Sequence, residues 1–197
     1  MPTLENYFSH VSISKERYYI HRRKNKNGTA CYYLSTKTEG NLVAKLPKGF
    51  EIYDHPETNQ PFIRRIRPKI ITDEEKKLVE TLMKKYCAER SRVDIRGNFI
   101  VIYISHAKQM LEELSECLGI MGQEREVVDE KFEEYIRYSA VLRLSLEDKK
   151  KRTFSIERWC YRGKINGWMD LYDTAPLKDV CKKYFSHIGK ESFYELV

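Results

Sequence analysis

Residues 91–105 read SRVDIRGNFIVIYIS, and this stretch predicts the centre of the fold. Gly97 and Asn98 suit a two-residue hairpin turn between two strands. The turn sets two aliphatic pairs opposite each other, Ile95 with Ile100 and Val93 with Ile102. The run FIVIYI is apolar at every position, so both of its faces need cover. We therefore expect a central, buried strand here.

The C-terminal third predicts further strands. In AVLRLSLE, Leu142, Leu144 and Leu146 alternate with polar or smaller residues, which is typical of one strand face. The stretch RWCYRGKINGWMDL (158–171) holds both tryptophans of the chain on either side of a short turn. We expect Trp159 and Trp168 to form an aromatic cross-strand pair beneath the last helix. The alternative is a stacking platform for nucleic acid beside Arg158, Arg162 and Lys164.

Four segments carry helix patterns. Thr72 and Glu75 form a T-x-x-E capping box at the start of the first. The others have apolar residues at helical spacing around Met110–Leu118, over 124–136 and over 177–188. Together these patterns predict an α+β fold, in which antiparallel hairpins and a meander pack against three to four amphipathic helices.

The N-terminal third is predicted to be a small β-rich region. RYYIHRR (17–23) and TACYYLSTK (29–37) flank Asn27-Gly28, the strongest short hairpin signal. Short strands follow at Phe50–Tyr53 and Phe62–Ile66, and we expect the second of these to join the same sheet. The expected organisation is a basic β-rich region over 1–70 and an α+β region over 71–197, which together could form one continuous domain.

Composition narrows the class of protein. No apolar run approaches the roughly 20 residues that cross a bilayer, and the N-terminus lacks a secretion signal. The five cysteines are odd in number and widely spaced, without a CxxC pair. This pattern favours free thiols and argues against a disulfide framework or a zinc knuckle. We therefore expect a cytoplasmic protein that does not interact with membranes.

Positive charge is concentrated at the N-terminus. The chain carries a net charge of +7, and residues 1–70 hold 13 lysines and arginines against 6 aspartates and glutamates. A clustered surplus of this kind points to an anionic partner. Arginine binds phosphate oxygens in a bidentate manner, and tyrosine can stack on bases. The candidate nucleic-acid-binding residues are Arg22, Arg23, Lys24, Arg64, Arg65, Arg67, Tyr19 and Tyr33.

Two patterns in the sequence could instead indicate catalysis. A D…ExK nuclease pattern could combine Asp94 with Glu147 and Lys149, and a weaker version is Asp129-Glu130-Lys131. Charged residues are expected at the turn after Glu147 in any case. Serine precedes histidine at His10, His106 and His187, but neighbours in sequence do not make a catalytic pair, and nothing in their spacing requires a shared metal.

No Walker A, GxGxxG, HExxH or GxSxG motif is present, so no catalytic residue, metal or cofactor is assigned. The sequence favours an accessory module that binds nucleic acid or another polyanion. The alternatives are a protein–protein adaptor and a small metal-dependent nuclease or hydrolase. Whether the protein is an enzyme, which partner it binds and its oligomeric state stay open.

Overall fold

The computed structural model describes residues 4–87, 90–105, 107, 117, 136–162 and 165–196. The chain divides into two compact units. The first contains the described residues up to Arg67 together with Ile136, and the second contains the remaining described residues. Of all described residues, 45% lie in strands and 19% in helices.

The first unit holds two small antiparallel sheets. β1 (Ser9–Val11), β2 (Arg17–Lys24) and β3 (Ala30–Ser35) form one of them, with β2 in the middle. β4 (Phe50–Asp54) and β5 (Pro61–Arg65) form the other, a separate hairpin. The predicted hairpin across Asn27-Gly28 is confirmed. The expectation that the strand near Phe62 joins the same sheet is wrong, because that strand pairs with β4, its neighbour in the chain.

The second unit is built on a five-stranded antiparallel sheet in the order β10-β9-β8-β7-β6. Its elements are α1 (Asp73–Tyr86), β6 (Ser91–Arg96), β7 (Phe99–Ser105), β8 (Tyr138–Asp148), β9 (Thr153–Arg162), β10 (Ile165–Pro176) and α2 (Leu177–Phe185). Val93 pairs with Ile102 and Ile95 with Ile100 across the Gly97-Asn98 turn. Ile100 and Ile102 are fully buried. The predicted central strand is confirmed.

One face of this sheet forms the core with both helices. Leu142, Leu144 and Ile156 from the sheet pack with Val79 of α1 and Phe185 of α2, and all five are fully buried. The start of α1 has the predicted capping box: the Thr72 hydroxyl accepts from the Glu75 amide, and the Glu75 carboxylate accepts from the Thr72 amide. Neither helix is long and apolar enough to cross a bilayer, as far as the described residues show.

The predicted α+β fold with three to four helices on a meander is wrong. The described residues contain two α-helices with assigned bounds and three sheets, so strands dominate. Two of the expected helices, around Met110–Leu118 and over 124–136, fall almost entirely outside the described residues. Strands dominate because β8, β9 and β10 are long, with 11, 10 and 12 residues. The helices α1 and α2 pack on the buried face of this sheet and complete the core.

Candidate nucleic-acid interface

The β2–β3 hairpin ends in an exposed, basic tip whose turn is closed by local hydrogen bonds. Every residue from Arg22 to Thr29 is exposed. The Asn25 side-chain oxygen accepts hydrogen bonds from the amides of Asn27 (3.1 Å) and Thr29 (2.8 Å). Such local bonds fix a turn without help from the rest of the protein. No acidic residue occurs over 17–38, so the positive charge of this tip has no neutralising neighbour in its own hairpin.

Arg22 and Arg23 are neighbours in β2, and their side chains leave the sheet on opposite faces. Arg22 lies directly opposite Tyr32 of β3, whereas Arg23 lies opposite Cys31. Directly opposite residues in an antiparallel pair share a face. Arg22 therefore belongs to the face that carries Tyr32, and Arg23 belongs to the other.

The Tyr32 face of the three-stranded sheet packs against the β4–β5 hairpin. The Tyr32 and Phe50 rings meet edge to face, with centroids 5.3 Å apart and an interplanar angle of 71°. At the other end of the same faces, His10 Nε2 lies 3.0 Å from the Asp54 carboxylate. Both contacts join the same two faces, so the two small sheets pack against each other through these faces.

Arg65 lies on the β5 side of this junction. It pairs directly with Phe50, and its guanidinium carbon lies 5.6 Å from the centroid of the Phe50 ring. Arg22, Tyr32, Phe50 and Arg65 thus follow one another across two sheets, and we call these four residues the arginine–aromatic row. Both arginines are exposed, and both rings are half-buried. Neither arginine has an ion-pair partner among the described residues.

The other face of the three-stranded sheet carries Arg23. Its guanidinium carbon lies 5.6 Å from the centroid of Tyr33, and Tyr33 stacks on His21 with centroids 5.1 Å apart and planes 18° apart. His21 is buried and hydrogen-bonded to the carbonyl of Lys37. The Tyr33 ring, 41% exposed, is therefore already in contact with both His21 and Arg23.

Arg64 lies on the face of the β4–β5 hairpin that is turned away from Phe50. It lies opposite Glu51, and its Nε donates to the Glu51 carboxylate at 2.8 Å. Its guanidinium carbon also lies 3.8 Å from the centroid of the Tyr53 ring. This arginine is held by an acidic and an aromatic neighbour, so its charge is partly neutralised before any ligand binds.

The structure therefore brings together some of the predicted residues and separates others. Arg22 and Arg65 lie on the two sheet faces that meet at Tyr32 and Phe50. Arg23 and Arg64 lie on the opposite faces of their respective sheets. Lys24 shares the face of Arg22, and Arg67 follows the end of β5 and is exposed. Tyr19 is only 8% exposed, so it cannot stack on a base.

Sequence reasoning did not assign Tyr32 and Phe50 to the site. A two-residue turn at Asn27-Gly28 would set Tyr33 opposite Arg22. The loop is longer, because the Asn25 amide donates to the Thr29 carbonyl across it, and the resulting register sets Tyr32 opposite Arg22 instead. Nothing in the sequence marks Phe50, since its contact with Tyr32 depends on how two separate sheets pack.

The second unit has its own exposed aromatic surface. Trp159 and Trp168 lie directly opposite each other, with ring centroids 5.1 Å apart and an interplanar angle of 81°. The cross-strand pair is confirmed, but its placement under the last helix is wrong. Met169 packs against the core, and side chains alternate along a strand, so Trp168 and its partner face away from the helices.

Arg143 extends this surface towards β7. Its guanidinium carbon lies 4.7 Å from the Trp168 centroid and 4.9 Å from the Phe99 centroid. Glu157 accepts two hydrogen bonds from it, at 2.5 and 2.6 Å. Arg158, a predicted cation of the stacking platform, is instead buried and donates to the carbonyls of Leu196 and Tyr194. The side chains of Arg162 and Lys164 are not among those described.

The nuclease pattern does not assemble. Asp94 lies on β6 and is bonded to Arg96, whereas the Glu147 carboxylate accepts from Ser155 near the end of β8. Two strand spacings and several residue steps separate these carboxylates, roughly 15 Å in ideal sheet geometry. Asp129-Glu130-Lys131 lies outside the described residues. Within the described ranges, no group of three His, Cys, Asp or Glu side chains could hold a metal ion.

Comparison with known proteins finds no family model, no curated protein and no solved structure that matches this chain.

Proposed function

We propose that the first unit is a nucleic-acid-binding module that holds the phosphate backbone with its exposed arginines and lysines. One observation carries this proposal: the arginine–aromatic row places two exposed, unneutralised arginines on one side of the unit, on either side of two half-buried rings. A guanidinium that lies near an aromatic ring keeps its N–H edge available for phosphate oxygens.

The charge of the hairpin tip and the hydrogen bonds within its turn support the same proposal. The hairpin tip lacks acidic residues, and the Asn25 turn holds it in shape before a ligand arrives. A site that is already ordered loses less conformational entropy on binding. Exposed arginines contribute little to stability, so their number in this unit is better explained by a ligand than by the fold.

The test measures binding of labelled oligonucleotides by fluorescence anisotropy over a range of salt concentrations. The quadruple variant R22A/R23A/R64A/R65A should lose binding at moderate salt. Each phosphate contact with a single strand contributes about 0.7 to the slope of log affinity against log salt, so the slope should fall by up to about 3. Retained binding in this variant, or none by the parent at low salt, would contradict the proposal.

The matched control is K149A/K150A/K178A/K182A. It removes the same number of positive charges from exposed positions in the second unit. If net charge alone attracts the nucleic acid, both quadruple variants will lose affinity equally. A loss confined to the arginine variant places the contact in the first unit.

A second candidate function is protein–protein binding, favoured by the aromatic surface of the second unit. Trp159, Tyr161 and Tyr172 are 37%, 79% and 90% exposed. Exposed tryptophan and tyrosine are typical anchors of protein interfaces. If the protein binds another protein through this surface, the parent should show no salt-dependent binding to nucleic acid. If the nucleic-acid proposal is right, the variant W159L/Y161A/Y172A should bind nucleic acid as tightly as the parent does.

A further inference from the structure

We infer that the arginine–aromatic row binds a single-stranded nucleic acid, with phosphates on Arg22 and Arg65 and a base against the Tyr32–Phe50 pair. This inference rests on the proposed function and narrows it to one side of the first unit and to one substrate class. The four residues are contributed by β2, β3, β4 and β5, in that order, so the row crosses both small sheets.

The chemistry of the arginine–aromatic row matches a single-stranded nucleic acid better than a duplex. Single-strand sites combine cations that follow the backbone with aromatic rings on which bases stack. A duplex keeps the faces of its bases inside, so half-exposed rings would have nothing to contact except sugar and phosphate. Tyr32 and Phe50 retain exposed surface although they also join the two sheets.

Arg23 and Arg64 are poorly suited to join this site. Arg23 lies on the opposite face of its sheet and contacts Tyr33, and Arg64 is bonded to Glu51 on the outer face of the hairpin. A nucleic-acid strand that lies along the row cannot reach Arg23 or Arg64 without passing round the edge of a sheet. The four arginines therefore divide into a binding pair, Arg22 and Arg65, and a non-binding pair, Arg23 and Arg64.

A competing geometry uses the same hairpin differently. A two-stranded ribbon can enter the major groove of a duplex, where phosphates line both walls. In that arrangement both faces of the β2–β3 tip would contact the ligand, and Arg23 would matter as much as Arg22. The two geometries therefore predict different results for variants that carry the same change in charge.

The first experiment compares R22A/R65A with R23A/R64A, using oligo(dT) and a duplex of equal length. R22A/R65A should lose at least tenfold in affinity for oligo(dT), and the salt slope should fall by about 1.4. R23A/R64A should lose less than about threefold. Equal losses in both variants, or tighter binding of the duplex by the parent, would overturn the inference while leaving nucleic-acid binding itself established.

The second experiment tests the aromatic contact. Y32L and F50L keep an apolar side chain between the sheets but remove the ring. The parent should bind oligo(dT) roughly tenfold more tightly than an abasic sugar–phosphate oligomer of the same length, because a stacked base adds affinity. Y32L should reduce this preference while its affinity for the abasic oligomer stays unchanged. An unaltered preference in both variants would exclude base stacking at the row.

Failure of the inference and failure of the proposed function are distinguishable. If the parent binds neither oligo(dT), nor the duplex, nor the abasic oligomer at low salt, the proposed function is wrong. If it binds the abasic oligomer and oligo(dT) equally well, the phosphate contacts stand and the single-strand inference is wrong. Circular dichroism spectra and thermal melts establish whether each variant is folded. We expect the arginine variants to fold, because Arg22, Arg23 and Arg65 are exposed and Arg64 is half-buried.

Discussion

Trp168 contacts two partners on one face of the sheet: the Trp159 ring from the adjacent strand β9 meets its ring at 81°, and the Arg143 guanidinium carbon from β8 lies 4.7 Å from its centroid. Edge-to-face aromatic pairs and cation–π contacts each add to the stability that burial alone provides. The two tryptophans therefore differ in how much stability each contributes, although they are direct cross-strand neighbours.

We expect W159L to lower the free energy of unfolding by about 1 kcal/mol and W168L to lower it further, because only Trp168 also contacts Arg143. Urea unfolding measures both. Either variant should also abolish the exciton signal of coupled indoles in circular dichroism. The control is Y161L, whose side chain is 79% exposed and whose stability should match the parent. A greater loss for W159L than for W168L would contradict this ordering.

Glu75 has two roles, and its removal should cost more than the loss of a helix cap. The carboxylate completes the capping box with Thr72 and also pairs with the guanidinium of Arg152. T72A should cost about 1 kcal/mol. E75A should cost about 2 kcal/mol or more, because Arg152 then loses its charged partner. E80A is the control, because the pair that Glu80 forms with Lys76 at 3.7 Å is exposed and its loss should cost under about 0.5 kcal/mol.

Asp173 should make the free energy of unfolding depend on pH. The hydrogen bond from Lys183 at 2.8 Å, together with one from Tyr184 at 2.9 Å, lowers the pKa of Asp173. A carboxyl whose pKa is lower in the folded state stabilises that state above its unfolded pKa, near 3.9, and loses this contribution as the pH falls through the folded pKa. The parent should therefore exceed D173N in stability at neutral pH, and the difference should shrink below about pH 4. A difference that does not change between pH 7 and pH 2 would contradict this assignment.

Cys181 should be inert in the folded protein. Burial raises the pKa of its thiol to about 12, so at pH 8 only about one molecule in ten thousand carries the thiolate. All five cysteines are free in the structure, and Cys31, Cys117 and Cys160 have exposed or half-buried side chains. Thiol titration of the native protein should detect these three thiols, whereas Cys181 and Cys87 should not react. All five should react once the protein is denatured without reductant, and rapid labelling of native Cys181 would show that the core around α2 opens.

Local signals in the sequence predicted the local structure. Asn27-Gly28 and Gly97-Asn98 each mark a hairpin that forms, and the Thr72–Glu75 box marks the start of α1. In these places a few neighbouring residues determine the conformation, through positive φ at glycine or through a side chain that bonds to the backbone. The two glycines have φ values of +76° and +66°.

The errors arose where distant segments decide the outcome. The strand that contains Phe62 resembles β2 in composition, but composition does not specify a pairing partner, and β4 is the next strand in the chain. The cross-strand partner of Trp159 could be predicted, whereas the face of the pair depends on which residues of β9 and β10 meet the helices. The division of the four arginines into two pairs required both the register and the packing of Tyr32 on Phe50.

The order of strands in the larger sheet has a consequence for how it folds. Among the described strands, each pairs with its neighbours in the chain, and three of the four pairings join strands separated by short connections. These pairings close small loops and can form early. The pairing of β7 with β8 must bridge the whole connection from Ser105 to Tyr138, and the entropy of closing a loop rises with its length. We therefore expect the β6–β7 hairpin and the β8–β9–β10 meander to form before they join, and we expect their joining, which completes the buried core, to limit the rate of folding.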